Sequence, residues 1–212
     1  MSLLAVHLND AAISVHDSDR FLYREPGFVL LEDDQLTTGK AAFSQARLKP
    51  RRIHNHFWSE LRTEPLPDRR FHHLSAADLV SRQLEQMWQR VSGEAIVVAV
   101  PAYMDTASLG LFLGIAGELQ IPVAGMVDAA VAATRREYPG AVPVHVDLGL
   151  HSATLTRLKQ DGQVQVDRAE VIEACGMIAL HDAWIAQIAE EFVRQSRFDP
   201  LHTAETEQML QD

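Results

Sequence analysis

A chain of 212 residues with 47% hydrophobic and 23% charged side chains is long enough to bury a sizeable core, in one large domain or two small ones. Its formal net charge of −10 argues against a nucleic-acid surface, which needs clustered Lys and Arg; the run Lys49-Pro50-Arg51-Arg52 is short and reads as a solvated loop. The single cysteine, Cys175, excludes an intramolecular disulfide framework, and with no secretory leader pattern and no membrane-length apolar run a soluble cytoplasmic protein, or a piece of one, is expected.

In chain order, Leu3 to His7 and Ala11 to His16 read as two strands around a hairpin turn at Leu8-Asn9-Asp10. Phe21 to Tyr23 and Phe28 to Leu31 add strand-like runs across Pro26-Gly27, and Gly39 to Arg47 is a short Ala-rich helix ended by Pro50. Residues 50–74 read as an irregular, solvated loop, broken by Pro50, Pro65 and Pro67 and carrying His54, His56, His72 and His73. Paired imidazoles can bind zinc, but no cysteine or carboxylate pattern completes a site there.

Ser75 and Asp78 form a capping-box pattern before a helix with Val80, Leu84, Met87, Trp88 and Val91 at helical spacing. Glu94 to Val100 reads as a buried strand ended by Pro101. Asp105 then caps a helix through Leu119 that is apolar around much of its girth, as a buried helix is. Ile121 to Val127 is a further strand, and Asp128 caps the Ala-rich helix Ala129 to Arg136. Strands alternating with helices point to an α/β layer.

Val144 to Leu158 organises the rest. Val144 and Val146, then Ala153 and Leu155, alternate with polar neighbours on either side of Asp147-Leu148-Gly149, which reads as two strands and a tight turn. A carboxylate beside a glycine turn suits a metal–phosphate site; it equally suits an ordinary hairpin whose Asp favours the turn. After the Asp161-Gly162 turn, Gln163 to Ile172 is a strand. A helix from Met177 to Arg197 follows, with Ile178, His181, Trp184, Ile185, Ile188 and Phe192 on its inner face and His181 as a core histidine. The last helix, Thr203 to Leu210, reads as uncapped and unpacked, so that its removal is expected to change stability little.

This order of elements resembles the first half of the actin-like ATPase (ribonuclease H-like) fold, mixed β-sheets flanked by helices, most closely the nucleotide-binding domain of DnaK-type heat-shock chaperones. Val98-Ala99-Val100-Pro101-Ala102-Tyr103 is similar to the family's T-V-P-A-Y-F, and Asp128 to Ala133 to its E-P-T-A-A-A. Gly39 and Ala42 match its G-x-x-A, and Ala174-Cys175-Gly176 before the long helix resembles its G-G-E-D-F-D. The resemblance implies a first lobe over residues 1–142 and the start of a second over 143–212, a truncated nucleotide-binding domain whose adenosine site lies in later sequence.

The resemblance also implies a site. The family's first phosphate loop, D-L-G-T-T, corresponds to His7-Leu8-Asn9-Asp10-Ala11, and its second, D-L-G-G-G-T, to Asp147-Leu148-Gly149-Leu150-His151-Ser152. Phosphate contacts would come from Asn9, Asp10, Ala11, Gly149, His151 and Ser152. Asp147 would hold a hydrated Mg²⁺, and Asp128, in place of the family's Glu, would orient a water on ATP. The departures are as informative: His7 replaces an Asp, Leu150 and His151 replace two glycines, and Phe57-Trp58-Ser59-Glu60-Leu61 lacks the catalytic Lys. Two functions are therefore expected: a divergent chaperone-like nucleotide-binding protein with weak or absent hydrolysis, or a non-catalytic actin-like scaffold for client or partner proteins. A sugar- or acetate-kinase-like relative needs a substrate Asp that the chain does not identify.

Overall fold

The computed structural model describes residues 3–18, 20–32, 35–91 and 93–212. The chain is α/β. Its elements run β1 (Leu3–His7), β2 (Ile13–Asp17), β3 (Arg20–Glu25), β4 (Val29–Glu32), β5 (Gln35–Thr38), α1 (Lys40–Phe43), β6 (Ile53–His54), α2 (Ala76–Arg90), β7 (Ala95–Val100), α3 (Thr106–Glu118), β8 (Val123–Asp128), α4 (Ala129–Ala133), β9 (Val144–Leu148), β10 (Ser152–Asp161), β11 (Gln163–Glu173), α5 (Met177–Ser196) and α6 (Ala204–Gln211). A mixed five-stranded sheet has the order β3-β2-β1-β7-β8, antiparallel through β3-β2-β1 and parallel through β1-β7-β8. Two three-stranded sheets, β11-β10-β9 and β5-β4-β6, complete it. No helix among the described residues is long and apolar enough to cross a membrane.

Alternation builds the main core. Leu4 and Val6 of β1, Ile13 and Val15 of β2, and Ile96 and Val98 of β7 point to one side of the sheet, where they meet Leu79, Val80, Leu84 and Met87 of α2 and Phe112 and Ile115 of α3. The α2 start carries the expected capping box, with Asp78 N–H donating to Ser75 Oγ at 3.3 Å and Ser75 N–H to Asp78 Oδ2 at 2.7 Å. Two expectations about buried runs change. β7 buries one face and half-buries the other, and α3 buries only Phe112, Ile115 and Ala116 while Leu113 is 41% exposed. A helix lying on one side of a sheet needs only one apolar stripe.

The proline-broken segment after β6 is not a solvated loop. Phe57, Trp58, Leu61, Leu66 and Phe71 are all buried in the main core. Trp58 Nε1 donates to Gln83 Oε1 at 2.7 Å, and Gln83 Nε2 donates to the Pro26 carbonyl at 3.0 Å, so a buried amide on α2 is satisfied from two sides.

The last third of the chain also differs from its pattern. Val144, Val146 and Leu148 of β9 face outward, while Ser152, Thr154 and Thr156 of β10 are buried. α5 buries Ile185 and Ala189; Trp184, Ile188 and Phe192 are about half exposed, and His181 is half-buried beside Trp184 rather than in a core.

α6 is neither uncapped nor unpacked. Thr203 Oγ1 caps it by accepting from Thr206 N–H, and Gln208, 4% exposed, accepts from Arg47 N–H at 2.9 Å. Arg47 in turn reaches Gln211, Glu207 on α6 and Asp182 on α5, joining three parts of the chain. The joint is polar, which hides it from apolar periodicity. Gln208→Ala leaves the Arg47 N–H without its acceptor and is expected to lower unfolding free energy by about 1–3 kcal/mol. Urea titration checks this, and an unchanged midpoint would mean that α6 contributes no docking.

Candidate functional site

The β1–β2 turn and the β9–β10 turn meet face to face. Leu8 N–H donates to the Ala99 carbonyl at 3.0 Å, which fixes the first turn to the end of β7. Asn9 then folds its side chain over its own backbone: Oδ1 accepts from Ala11 N–H at 2.9 Å, and the Asn9 carbonyl accepts from Ala12 N–H at 2.9 Å. This leaves the Asn9 Nδ2 group directed at the other turn, where it donates to Asp147 Oδ1 at 2.7 Å and to the Leu148 carbonyl at 3.0 Å.

Asp10 makes the second link. It is 2% exposed, and its Oδ1 accepts from Leu150 N–H at 2.7 Å. Its backbone carbonyl takes the Gly27 N–H at 2.7 Å. Burial pushes this carboxyl up to about 6, with the Leu150 and Ala11 N–H groups pulling the other way and the Asp147 charge adding to the rise. Gly149 is required where the turns touch. A Cβ there would lie 2.8 Å from Asp10 Oδ1 and 3.2 Å from the Ser152 carbonyl.

Burial shifts His7, Tyr103 and His151 around this clasp toward their neutral forms. Desolvation lowers His7 against the opposing attraction of Asp147, and His145 and His16 lower it further. Desolvation, with the charges of Asp10 and Asp147, raises Tyr103 well above an ordinary phenol. His151 leaves the turn for residues 54–60: it stacks on His56 with ring centroids 3.5 Å apart, and its Nε2 lies 3.1 Å from the Asn55 carbonyl. Desolvation lowers His151, and the neighbouring His56 lowers it further.

Of the sequence-derived site residues, Asn9, Asp10, Asp147 and Gly149 come together directly. Ser152 is buried, and its carbonyl accepts from Gly149 N–H at 2.9 Å. Asp128 turns its carboxylate to its own helix, where Oδ1 accepts from Ala130 N–H at 2.8 Å and Val131 N–H at 3.4 Å. Ala11 lines the adjoining cleft.

That cleft has a volume of about 940 Å³ and runs from the β1–β2 turn to α5. Imidazoles and a hydroxyl from β1 and β2 (His7, Ser14, His16), the cations Arg24 and Lys40, the rings of Phe28 and Phe43, and His181 and Asp182 of α5 line it. Register explains part of this wall: His7 pairs with Ser14, and Ser14 and His16 are two apart, so all three share one face of the sheet. Ser14 Oγ lies 3.3 Å from His16 Nε2. The exposed wall residues Lys40 and Arg24 were not anticipated from sequence, since nothing local sets them apart from ordinary surface residues; His181, read as a core histidine, is half-buried in this wall instead.

The fit of a Mg²⁺-bound phosphate can be judged from the donors. A phosphate at a loop needs N–H groups free to point at it. Here Leu8, Ala11 and Ala12 N–H are bonded within the first turn and its neighbour, Gly149 N–H to Ser152, and Leu150 N–H to Asp10. The carboxylate of Asp10 stands at the Leu150 donor where an anionic ligand would have to bind. Among the described residues no group of three or more His, Cys, Asp or Glu is arranged to hold a metal. In this arrangement these five donors are already taken within the protein.

No protein-family model matches the chain, and the curated proteins contain no match to it.

Proposed function

We propose that the chain is a heat-shock-chaperone-like module of the actin-like ATPase fold that has given up phosphoryl transfer and serves as a binding scaffold for partner proteins. One observation carries this reading: Asp10 and Asn9 close the two phosphate-loop equivalents on each other through Leu150 N–H and Asp147. A built-in carboxylate takes a donor that a nucleotide would need, and the replaced glycines and absent lysine point the same way. Phosphoryl transfer rests on positioning and charge neutralisation, and both are removed here.

The cleft of about 940 Å³ favours a second reading, in which nucleotide binds with weak or absent hydrolysis and Asp147 holds a hydrated Mg²⁺. Its aromatic and cationic walls suit an anionic, planar ligand, and its volume is ample for one.

Calorimetric titration of Mg-ATP separates the two. The scaffold reading expects flat heats and an unchanged melting temperature at millimolar nucleotide. Saturable binding that Asp147→Ala abolishes would replace it with the nucleotide reading.

A further inference from the structure

We infer that the paired short turns carrying Arg51-Arg52 and Arg69-Arg70 form a docking surface for an acidic polypeptide segment. The inference rests on the partner-binding reading above and gives it a surface, far from any requirement that the cleft be filled.

Seven of the chain's 19 Lys and Arg fall in residues 47–73, against three of its 29 Asp and Glu. In a chain of net charge −10 that segment is therefore a positive island. Folding pairs Arg47, Lys49, Arg62 and Arg70 with carboxylates and leaves the charge of the island to Arg51, Arg52 and Arg69. Pro50 opens a 3₁₀ turn over Pro50–Arg52, and Asp68 caps another over Arg69–Phe71 by accepting from Arg70 N–H at 3.0 Å. Phe71, 2% exposed, anchors the second turn in the core, so the flanking arginines stay outside. Arg70 Nη2 donates to the Arg51 carbonyl at 3.3 Å, which holds the two turns side by side although 16 residues lie between their arginine pairs. Arg51 and Arg69 are exposed and make no ion pair among the described residues.

The chemistry favours carboxylates. Asp68 already lies in the fork of Arg70, with Nε 3.1 Å from Oδ1 and Nη2 2.6 Å from Oδ2, which displays the recognition geometry on the patch itself. A nucleic acid is disfavoured on two counts. The aromatic rings of the segment, Phe57, Trp58 and Phe71, are buried and offer no platform for bases. A continuous polyanion leaving the patch would run onto a surface of opposite preference, because the remainder of the chain carries the excess of acidic residues.

Fluorescence anisotropy of a labelled Asp/Glu-rich peptide with the full chain tests it. Binding should exceed that of an uncharged peptide of equal length and weaken as ionic strength rises. Arg51→Glu with Arg69→Glu turns two attractions into repulsions and should weaken binding by about tenfold or more. Arg51→Gln with Arg69→Gln should give a smaller loss, and Arg168→Glu on β11, exposed and remote in sequence, should change little. Circular dichroism melting of each variant establishes that it folds. An equal loss with Arg168→Glu, tighter binding of single-stranded DNA of matched charge, or no peptide binding at all would overturn the inference. None of these results alters the Mg-ATP titration, so failure of the surface and failure of the scaffold reading are told apart.

Discussion

Near neutral pH, the Asp10→Asn protein is expected to be more stable than the natural chain, by about 1–3 kcal/mol. Asp10 is buried, and desolvation lifts its carboxyl from the ordinary value of 3.8 to about 6. Between those values the folded state binds more protons than the unfolded state. Unfolding free energy therefore falls as pH rises through the window, and the loss is complete above it. Asparagine keeps an Oδ1 acceptor for Leu150 N–H in nearly the same shape and carries no charge to desolvate. The advantage should vanish below about pH 4, where aspartic acid is neutral in both states. Other groups also shift on folding, among them His54 and His151, both lowered by burial, but the difference between the two proteins cancels them. Asp10→Ala should go the other way, because it leaves Leu150 N–H buried without an acceptor at a cost of about 1–3 kcal/mol. Urea titrations of the three proteins at acidic and neutral pH decide this. Equal stabilities of the natural and Asn forms at neutral pH would mean that a water or cation reaches the carboxylate.

What could be read in advance is what neighbours along the chain determine. The Ser75–Asp78 box, the Asp105 and Asp128 caps and the tight Asp161-Gly162 turn, with Gly162 at φ +71°, are local and were legible. The strands of the five-stranded sheet and of the β11-β10-β9 sheet were legible because apolar patterning and turn residues agree. Burial in the 50–74 segment was not: Phe57, Trp58 and Phe71 lie in turns with no period, and only docking on α2 puts them inside. The same holds for β9 and α5, whose apolar residues matched the strand and helix periods but face outward in part, since period identifies a face and not what covers it.

The site shows the same division. Asn9 and Asp147 could be placed at turns from sequence, but their 2.7 Å contact spans 138 residues. Asp10 was expected among the phosphate contacts. Its partner is instead a backbone N–H 140 residues away, a contact that leaves no mark on local sequence. Lys40, Arg24 and the arginine pairs likewise take their meaning from what stands opposite them.

Gly176→Ala is expected to have the largest effect of any single methyl in the chain's turns, a loss of about 3 kcal/mol or more. Gly176 precedes α5 in an extended conformation that any residue adopts, so backbone freedom is not the reason for glycine. Close approach is. A Cβ would lie 2.5 Å from the Leu150 carbonyl oxygen, 2.5 Å from the His151 carbonyl carbon and 2.6 Å from its nitrogen, all backbone atoms that have no rotamer with which to yield. Relief requires α5 to back away from the β9–β10 turn. That movement strains Met177 N–H to the Gly149 carbonyl at 2.9 Å and Ile178 N–H to the Leu150 carbonyl at 3.0 Å, the bonds by which the helix start is sewn to the turn. Each is worth about 0.5–1.5 kcal/mol, on top of about 1–3 kcal/mol for overpacking. Gly117→Ala is the control: it lies within α3, nothing stands within 4 Å of its added Cβ, and alanine there should stabilise by about 0.5–1 kcal/mol. Urea unfolding of both variants reads the contrast. A Gly176→Ala midpoint equal to that of the natural chain would mean that α5 is free to shift. The turn holding Gly149 and Leu150 would then not be braced from behind, and the Asp10 clasp would stand on its own two contacts.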